Sequence, residues 1–441
     1  MDKNVPEFYR SYGKYVNAFR AFPLDLDGLK PVERRVLLSA YQIASERFVK
    51  SARVDGHCLG HYHPHGTSYG TIVQLVRQGF LNGQGSFGAN IGVEPTPPAA
   101  MRYTGCRLSK TTKSLAFKLI KYVPWQLGEL DEKEPLFLPT MFPLCLLGEE
   151  YTQGIGFGYK TFIPCFKIED LYKRLLFLLG QRKTKPIIRP ISDCAIVSSD
   201  KEIESLLLTG KASISVKGVS IAHPKDHSVI LRSWPPGRKF ESLLNKFAKE
   251  RENNDIGFQD LSTEETYIVF KVLKQRNKDA IYNKFVKKLD KALTGNIPFE
   301  MIVVDSNRQV RVASVDELLL GSYKMFLNSN VAMLESEISR YQNIRKEYLV
   351  LQAIRPILSE HLKEEIKDVK LVINDICKRT GLSNSMVTGL FAKYRINKLL
   401  SLSIDIDGIN QEVKNLKANL DNAFQFSLDQ YVEVMNGRQK K

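Results

Sequence analysis

The hydrophobic positions first fall at helical spacing over Pro31–Phe48, where Val32, Val36, Leu37, Ala40 and Ile43 share one face and proline occupies the first turn. That pattern predicts a helix over 31–48, and a second, shorter one over Thr71–Phe80. After them stand glycines, at 83, 85, 88 and 92, which read as an irregular loop running to Pro97-Pro98. From about residue 151 the period shortens. Strand-like runs occur at Ala195–Ser198, Ser213–Val216, Val229–Leu231, Tyr267–Val272 and Met301–Val304, interleaved with helical stretches and separated by turn signals such as Trp234-Pro-Pro-Gly237. After 318 the chain turns helical: Leu327, Val331, Leu334, Ile338 and Tyr341 step by 4-3-4-3, and Ile409, Val413, Leu416, Leu420 and Ala423 repeat the step. With Pro356 and a globular interval between them, the two stretches fit the outgoing and returning arms of an antiparallel coiled coil, or two amphipathic helices on an ordinary core. A frayed basic tail at Arg438, Lys440 and Lys441 is expected to follow the last apolar position, near Met435.

The 441 residues are enough for about three domains at ~150 each. With 43% hydrophobic and 25% charged residues the composition is that of a globular protein. No run of about 18 apolar residues exists, which argues against a membrane span. The amino terminus carries Asp2, Lys3, Glu7 and Arg10 and lacks a signal-type apolar core. Six cysteines are scattered with no C-x-x-C, so a disulfide framework and a cysteine zinc site are not expected, and the cytoplasm is the expected compartment.

Charge changes the picture. The chain carries a net +16, and residues 1–121 hold 17 Lys and Arg against 8 Asp and Glu, so +9 sits in about a quarter of the chain. A basic surplus concentrated in this way favours a polyanionic partner.

Three constellations in that basic segment could carry chemistry. His57, His61, His63 and His65 fall within nine residues. A zinc site is one reading, although Pro64 breaks any helix that would align His61 with His65; a turn offering ring N–H donors to phosphate suits the basic surroundings better. Gly83-Gln-Gly-Ser-Phe-Gly88 matches G-x-G-x-x-G, but no preceding strand is predicted, so a tight backbone turn is preferred over a dinucleotide site. No P-loop motif is present. Arg102-Tyr103 pairs a phenol with a guanidinium that favours the phenolate and can hold a phosphodiester oxygen as transition-state charge grows.

Taken in order, Asp27-Gly-Leu-Lys-Pro-Val-Glu-Arg-Arg-Val36, Gly60-His-Tyr-His-Pro-His-Gly66, Asn82-Gly-Gln-Gly-Ser-Phe-Gly88 and Ala99-Ala-Met-Arg-Tyr-Thr104 closely resemble the breakage-reunion (A) subunit of type IIA DNA topoisomerases. The resemblance is strong over about residues 12–165 and architectural beyond. It implies an α+β fold: a winged-helix-type DNA-binding domain over 1–150, an α/β tower domain over 151–318, and an antiparallel coiled coil with a globular dimerisation tip (about 359–405) over 319–441.

The resemblance also implies roles. Tyr103 would be the nucleophile that retains the 5′ end of a cut strand, assisted by Arg102, Arg20 and His65. Lys30, Arg34, Arg35, His63 and Ser68 would contact DNA, and Ile155 would wedge between base pairs and bend the duplex. No metal ligand is assigned to this chain. Mg²⁺ and ATP would be held by a partner B subunit in an A2B2 assembly around a homodimer, acting on double-stranded DNA by relaxation or decatenation. Two departures stand out. Thr67-Ser-Tyr-Gly70 is two residues shorter than the family pattern and puts Gly70 at the acidic position of the quinolone anchor, which leaves drug sensitivity open. No counterpart of a C-terminal DNA-wrapping domain follows the apolar repeat, so negative supercoiling is not expected. A non-enzymatic coiled-coil DNA-binding protein and a histidine-ligated metallohydrolase are the alternatives from other classes; covalent DNA capture and metal analysis discriminate them.

Overall fold

A computed structural model describes residues 5–363, 368–403 and 405–439. They form two compact units, one comprising the chain up to Phe326 together with Val434 onward, the other Leu327–Glu433. Among the described residues no helix is long and apolar enough to cross a membrane.

The first unit begins with a helix, Val5–Val16, that the apolar spacing did not signal, continuing into a π-turn, Asn17–Ala21. Three helices follow, Pro31–Ile43, Ser51–His61 and Tyr69–Arg77, against a three-stranded antiparallel sheet whose order is Val49–Lys50, Gly105–Leu108, Leu81–Gln84. The first starts where its sequence predicts: the Lys30 backbone N–H donates to the Glu33 carboxylate at 2.8 Å, and proline takes a position whose N–H would go unpaired. Val36, Leu37, Leu38 and Ala40 are fully buried; each of the larger three stabilises the fold by roughly 1.5–3 kcal/mol.

This helix stops at Ile43, five residues short of expectation. The Ala44 carbonyl accepts from the Leu108 N–H, and Val49–Lys50 pairs with Gly105–Cys106. Sheet pairing therefore claims the backbone that a longer helix would have used. The glycine-rich loop is corrected in the same way: Gly83 and Gln84 belong to a strand, paired with Cys106 and Gly105. The second predicted helix runs Tyr69–Arg77 rather than 71–80.

Beyond residue 150 a five-stranded antiparallel sheet runs Thr152–Ile155, Lys160–Ile163, Thr294–Glu300, Lys211–Lys217, Ala195–Ile196. A four-stranded sheet, Ser220–His223, Ser228–Leu231, Ile268–Val272, Ile256–Asp260, packs Phe270 against Phe240, Phe247, Phe285 and Leu289. Each of the five predicted strand runs contains a strand, the first shortened to Ala195–Ile196. The short or glycine-bearing ones, such as Thr152–Ile155, show no alternation long enough to be read.

One helix, Val315–Lys363, carries the chain from the first unit into the second. Pro356 lies inside it rather than ending it. A helix-interior proline forfeits a hydrogen bond at about 3 kcal/mol, but here it is flanked by the buried Ile354, Ile357 and Leu358, in a core shared with Ile373, Ile376, Val387 and Leu399. The returning arm is two helices, Ile406–Asp421 and Ala423–Gln439, broken at Asn422. Within the second unit the arms meet at a buried polar cluster: Asn330 Nδ2 donates to Ser427 Oγ (3.0 Å), and Gln430 Nε2 donates to Asn330 Oδ1 (2.7 Å). Residues near the start of one arm thus meet residues near the end of the other, the antiparallel arrangement expected. Buried amides of this kind fix register. Arg438 lies in the last helix. Lys440 and Lys441, and positions 364–367 and 404 of the predicted tip, lie outside the described residues.

Candidate nucleic-acid interface and nucleophile

Arg102 and Tyr103 sit on a turn between the loop that leaves Leu81–Gln84 and the strand Gly105–Leu108. Tyr103 is 64% exposed, and the Arg102 guanidinium carbon lies 4.7 Å from the centre of its ring. The residues around the pair are anchored: the Ala99 N–H donates to the Ser86 carbonyl (3.0 Å), the Tyr103 N–H to the Ala100 carbonyl (2.9 Å), and Thr104, fully buried, lies 2.8 Å from Ser51 Oγ. The turn therefore presents a phenol and a cation to solvent from a fixed base.

The histidine turn follows the helix Ser51–His61. His63 is half-buried and His65 exposed, with ring centres 5.2 Å apart. Arg35 links both to an acidic hairpin, Trp125–Leu127 with Lys133–Pro135. Its guanidinium makes a two-pronged pair with Glu134 (2.8 and 3.0 Å), donates to Glu129 (3.1 Å) and lies 3.3 Å from His63 Nδ1. Glu129 reaches His65 Nε2 at 2.7 Å. Because a guanidinium only donates, His63 Nδ1 must accept, leaving its proton on Nε2. Burial, then the Arg35 charge, push the His63 pKa down to about 4, and Arg20 adds to the same positive field. His63 is consequently neutral at pH 7.

His57 and His61 form a separate pair, ring centres 4.4 Å apart, with Glu132 3.3 Å from His61 Nδ1. Burial, then the charge of His61, hold the His57 pKa below its ordinary value.

The remaining expected residues divide by exposure. Arg20 is exposed on the π-turn. Ile155 is 78% exposed at the end of its strand, opposite Lys160. Its hairpin is gripped by Asn17, whose side chain donates to the Phe157 carbonyl (2.9 Å) and accepts the Phe157 N–H (2.7 Å). A Cβ on Gly156 would stand 2.2 Å from Asn17 Oδ1, so only glycine fits there. Lys30 Nζ donates to the Gln153 carbonyl at 2.6 Å, tying the start of helix Pro31–Ile43 to the strand that carries Ile155.

Three residues expected to touch DNA are buried. Arg34 makes a two-pronged pair with the fully buried Asp27 (2.7 and 3.0 Å) and donates to the Leu29 carbonyl (3.2 Å). Arg35 is occupied as described, and Ser68 donates to Asp55 from both N–H (2.6 Å) and Oγ (2.8 Å). Among the described residues, no hydrogen bond or ion pair joins Arg102 or Tyr103 to Arg20 or His65.

Sequence reasoning missed Asp27, Asp55, Glu129 and Glu134, the carboxylates that organise these cations. The run Glu129 to Glu134, with four acids in six residues just beyond the basic segment, was the available signal.

Comparison with known proteins places the chain among relatives. Over 440 residues the chain is 26% identical to the DNA gyrase A subunit of Thermotoga maritima, covering 92% of this chain and 53% of that protein. Over 332 residues it is 30% identical to the DNA topoisomerase 4 A subunit of Escherichia coli K12, covering 69% and 43%. The chain spans about half the length of the curated relatives it matches. The profile of the DNA gyrase/topoisomerase IV A-subunit family matches residues 20–437, which takes in the histidine turn, the Arg102-Tyr103 turn and nearly all of both units, and the chain belongs to that family.

Proposed function

We propose that this chain cuts and rejoins DNA within a type IIA topoisomerase, through a transient bond between Tyr103 and a 5′ phosphate. The observation that carries the proposal is the exposed Arg102-Tyr103 pair on an anchored turn. The phenolic oxygen attacks the phosphorus and loses its proton. The 3′ oxygen leaves and gains one, and the strand end is held as a phosphotyrosyl ester. One ester replaces another of similar energy, so resealing by the reverse path needs no external energy. Arg102, Arg20 and His65 act on the phosphate as donors and cations where charge grows.

The order helix, strand, helix, helix, strand, loop, strand over residues 31–108 supports a winged-helix reading of the first domain, and the two sheets beyond 150 support a tower. Ile155, on a clamped hairpin tip, is the wedge. Arg34, Arg35 and Ser68 serve the interface by holding the helices that frame it, with Asp27, Glu134 and Asp55 as their partners. Since one tyrosine cuts one strand, two copies act together on a duplex. Mg²⁺ and ATP belong to a partner B subunit in this reading; Glu129 and Glu134 are committed to Arg35 and His65.

The test is plasmid cleavage with Mg²⁺ and the partner subunit, denaturing before protease. Wild-type chain should yield protein-linked linear DNA and Tyr103→Phe none; linear product at wild-type level from the variant refutes the assignment.

A further inference from the structure

The histidine turn and the nucleophile turn are separated by more than thirty residues of sequence, yet one side chain joins them. Tyr69 begins the helix that follows the histidine turn, and its hydroxyl donates to the Ala99 carbonyl at 2.5 Å and lies 3.1 Å from Thr104 Oγ1. Ala99 and Thr104 bracket Arg102 and Tyr103. A single hydroxyl therefore holds both ends of the turn that carries the nucleophile. Thr104 is fully buried and rests 2.8 Å from Ser51 Oγ, while the Ser51 N–H donates to the Thr104 carbonyl (3.0 Å). The far end of the turn is thus also fixed to the start of the helix that leads to the histidines.

Tyr69 is itself held. Its N–H donates to Thr67 Oγ1 (3.2 Å), and Thr67 Oγ1 and Ser68 both donate to the Asp55 carboxylate, at 3.0 and 2.8 Å. Asp55 lies on the helix Ser51–His61. The chain of contacts runs from Asp55 through the shortened Thr67-Ser68 turn to Tyr69, and from Tyr69 to the two flanks of Tyr103.

We infer that Tyr69 is a positioning residue that sets the nucleophile turn against the histidine turn through its hydroxyl. The inference rests on the proposed reading of Tyr103 as nucleophile. Displacing a reacting group by about 1 Å costs on the order of 100-fold in rate. Because Tyr69 is not offered to the DNA phosphates in this role, its loss should spare affinity.

The experiment compares wild type, Tyr69→Phe and Thr104→Val in two measurements. In the chain alone, hydrogen exchange at the Tyr103 amide should quicken by about tenfold or more in Tyr69→Phe, since the turn can then open locally. In the assembled enzyme with plasmid and Mg²⁺, the single-turnover rate of covalent capture should fall by about 10- to 100-fold at saturating DNA, with the DNA dissociation constant unchanged. Thr104→Val, which removes the Thr104 links to Tyr69 and Ser51 but keeps the Tyr69–Ala99 bond, should also quicken exchange and slow capture. Unchanged exchange with wild-type capture overturns the inference, and so does a loss of capture that tracks loss of DNA binding. If wild type itself captures no DNA, the nucleophile reading fails, and the exchange measurement alone then decides whether Tyr69 holds the turn.

Discussion

Arg34 is the residue for which family resemblance and geometry expect different consequences. As a DNA-contacting cation it should contribute to affinity and its salt dependence; as the partner of Asp27 it should contribute to folding. Asp27 is fully buried and accepts four hydrogen bonds, from Arg34 Nε and Nη2 and from the Leu29 and Leu138 N–H groups. Arg34→Ala removes the countercharge and both side-chain bonds and frees the Leu29 carbonyl, leaving a buried carboxylate with two backbone donors. Breaking a buried pair from one side costs about 3–5 kcal/mol. At about 2 °C per kcal/mol for a large unit, the melting midpoint should fall by about 6–10 °C. The assay is thermal unfolding together with DNA affinity titrated against salt at a temperature where the variant is folded. Each lost phosphate contact reduces the slope of log affinity against log salt by about 0.9. Arg34→Ala should keep the wild-type slope and lose stability. Arg20→Ala, at an exposed position, should do the reverse. Wild-type stability with a reduced slope in Arg34→Ala would refute the structural role.

Arg102→Ala and His65→Ala should each slow single-turnover cleavage by about 10²–10³ at saturating DNA; variants that cleave normally once DNA is saturating would remove these groups from the chemistry. Ile155→Ala should lessen the bend measured by energy transfer across a doubly labelled duplex, and an unchanged bend would remove the wedge. The His63 pKa is held down at about 4, so between the unfolded histidine value and 4 the unfolded chain binds the extra proton. Stability owed to neutral His63 is therefore full above about pH 6.5 and lost as pH falls toward 4. His63→Gln should flatten that part of a denaturation profile between pH 7 and pH 5, and an unaltered profile would count against the half-buried neutral form.

Much of the site was legible because it lies in local sequence. The order of the four motifs located both turns, and proline at position 31 with the apolar face behind it located the helix. What could not be read were the roles set by distant partners. Arg34, Arg35 and Ser68 look alike from sequence whether they face phosphate or protein. Their burial is decided by Asp27, Glu134 and Asp55, which lie 7, 99 and 13 residues away. Tyr69 was invisible for the same reason, its partners standing 30 and 35 residues on. Helix 31–48 was overextended because periodicity carries no information about the strand that competes for Val49–Lys50. Pro356 was read as an interruption because a local rule cannot weigh the tertiary core that tolerates it.

The account turns on which atom holds the cut strand. Plasmid cleavage with Mg²⁺ and the partner subunit, stopped with denaturant and followed by nuclease and protease digestion, leaves a short nucleotide on whichever residue attacked. Tandem mass spectrometry of the digest then locates it. The account predicts the adduct on the peptide containing Tyr103, joined through the phenolic oxygen to a 5′ phosphate. A nucleotide on any other residue, or cut plasmid with no adduct on this chain, would contradict it.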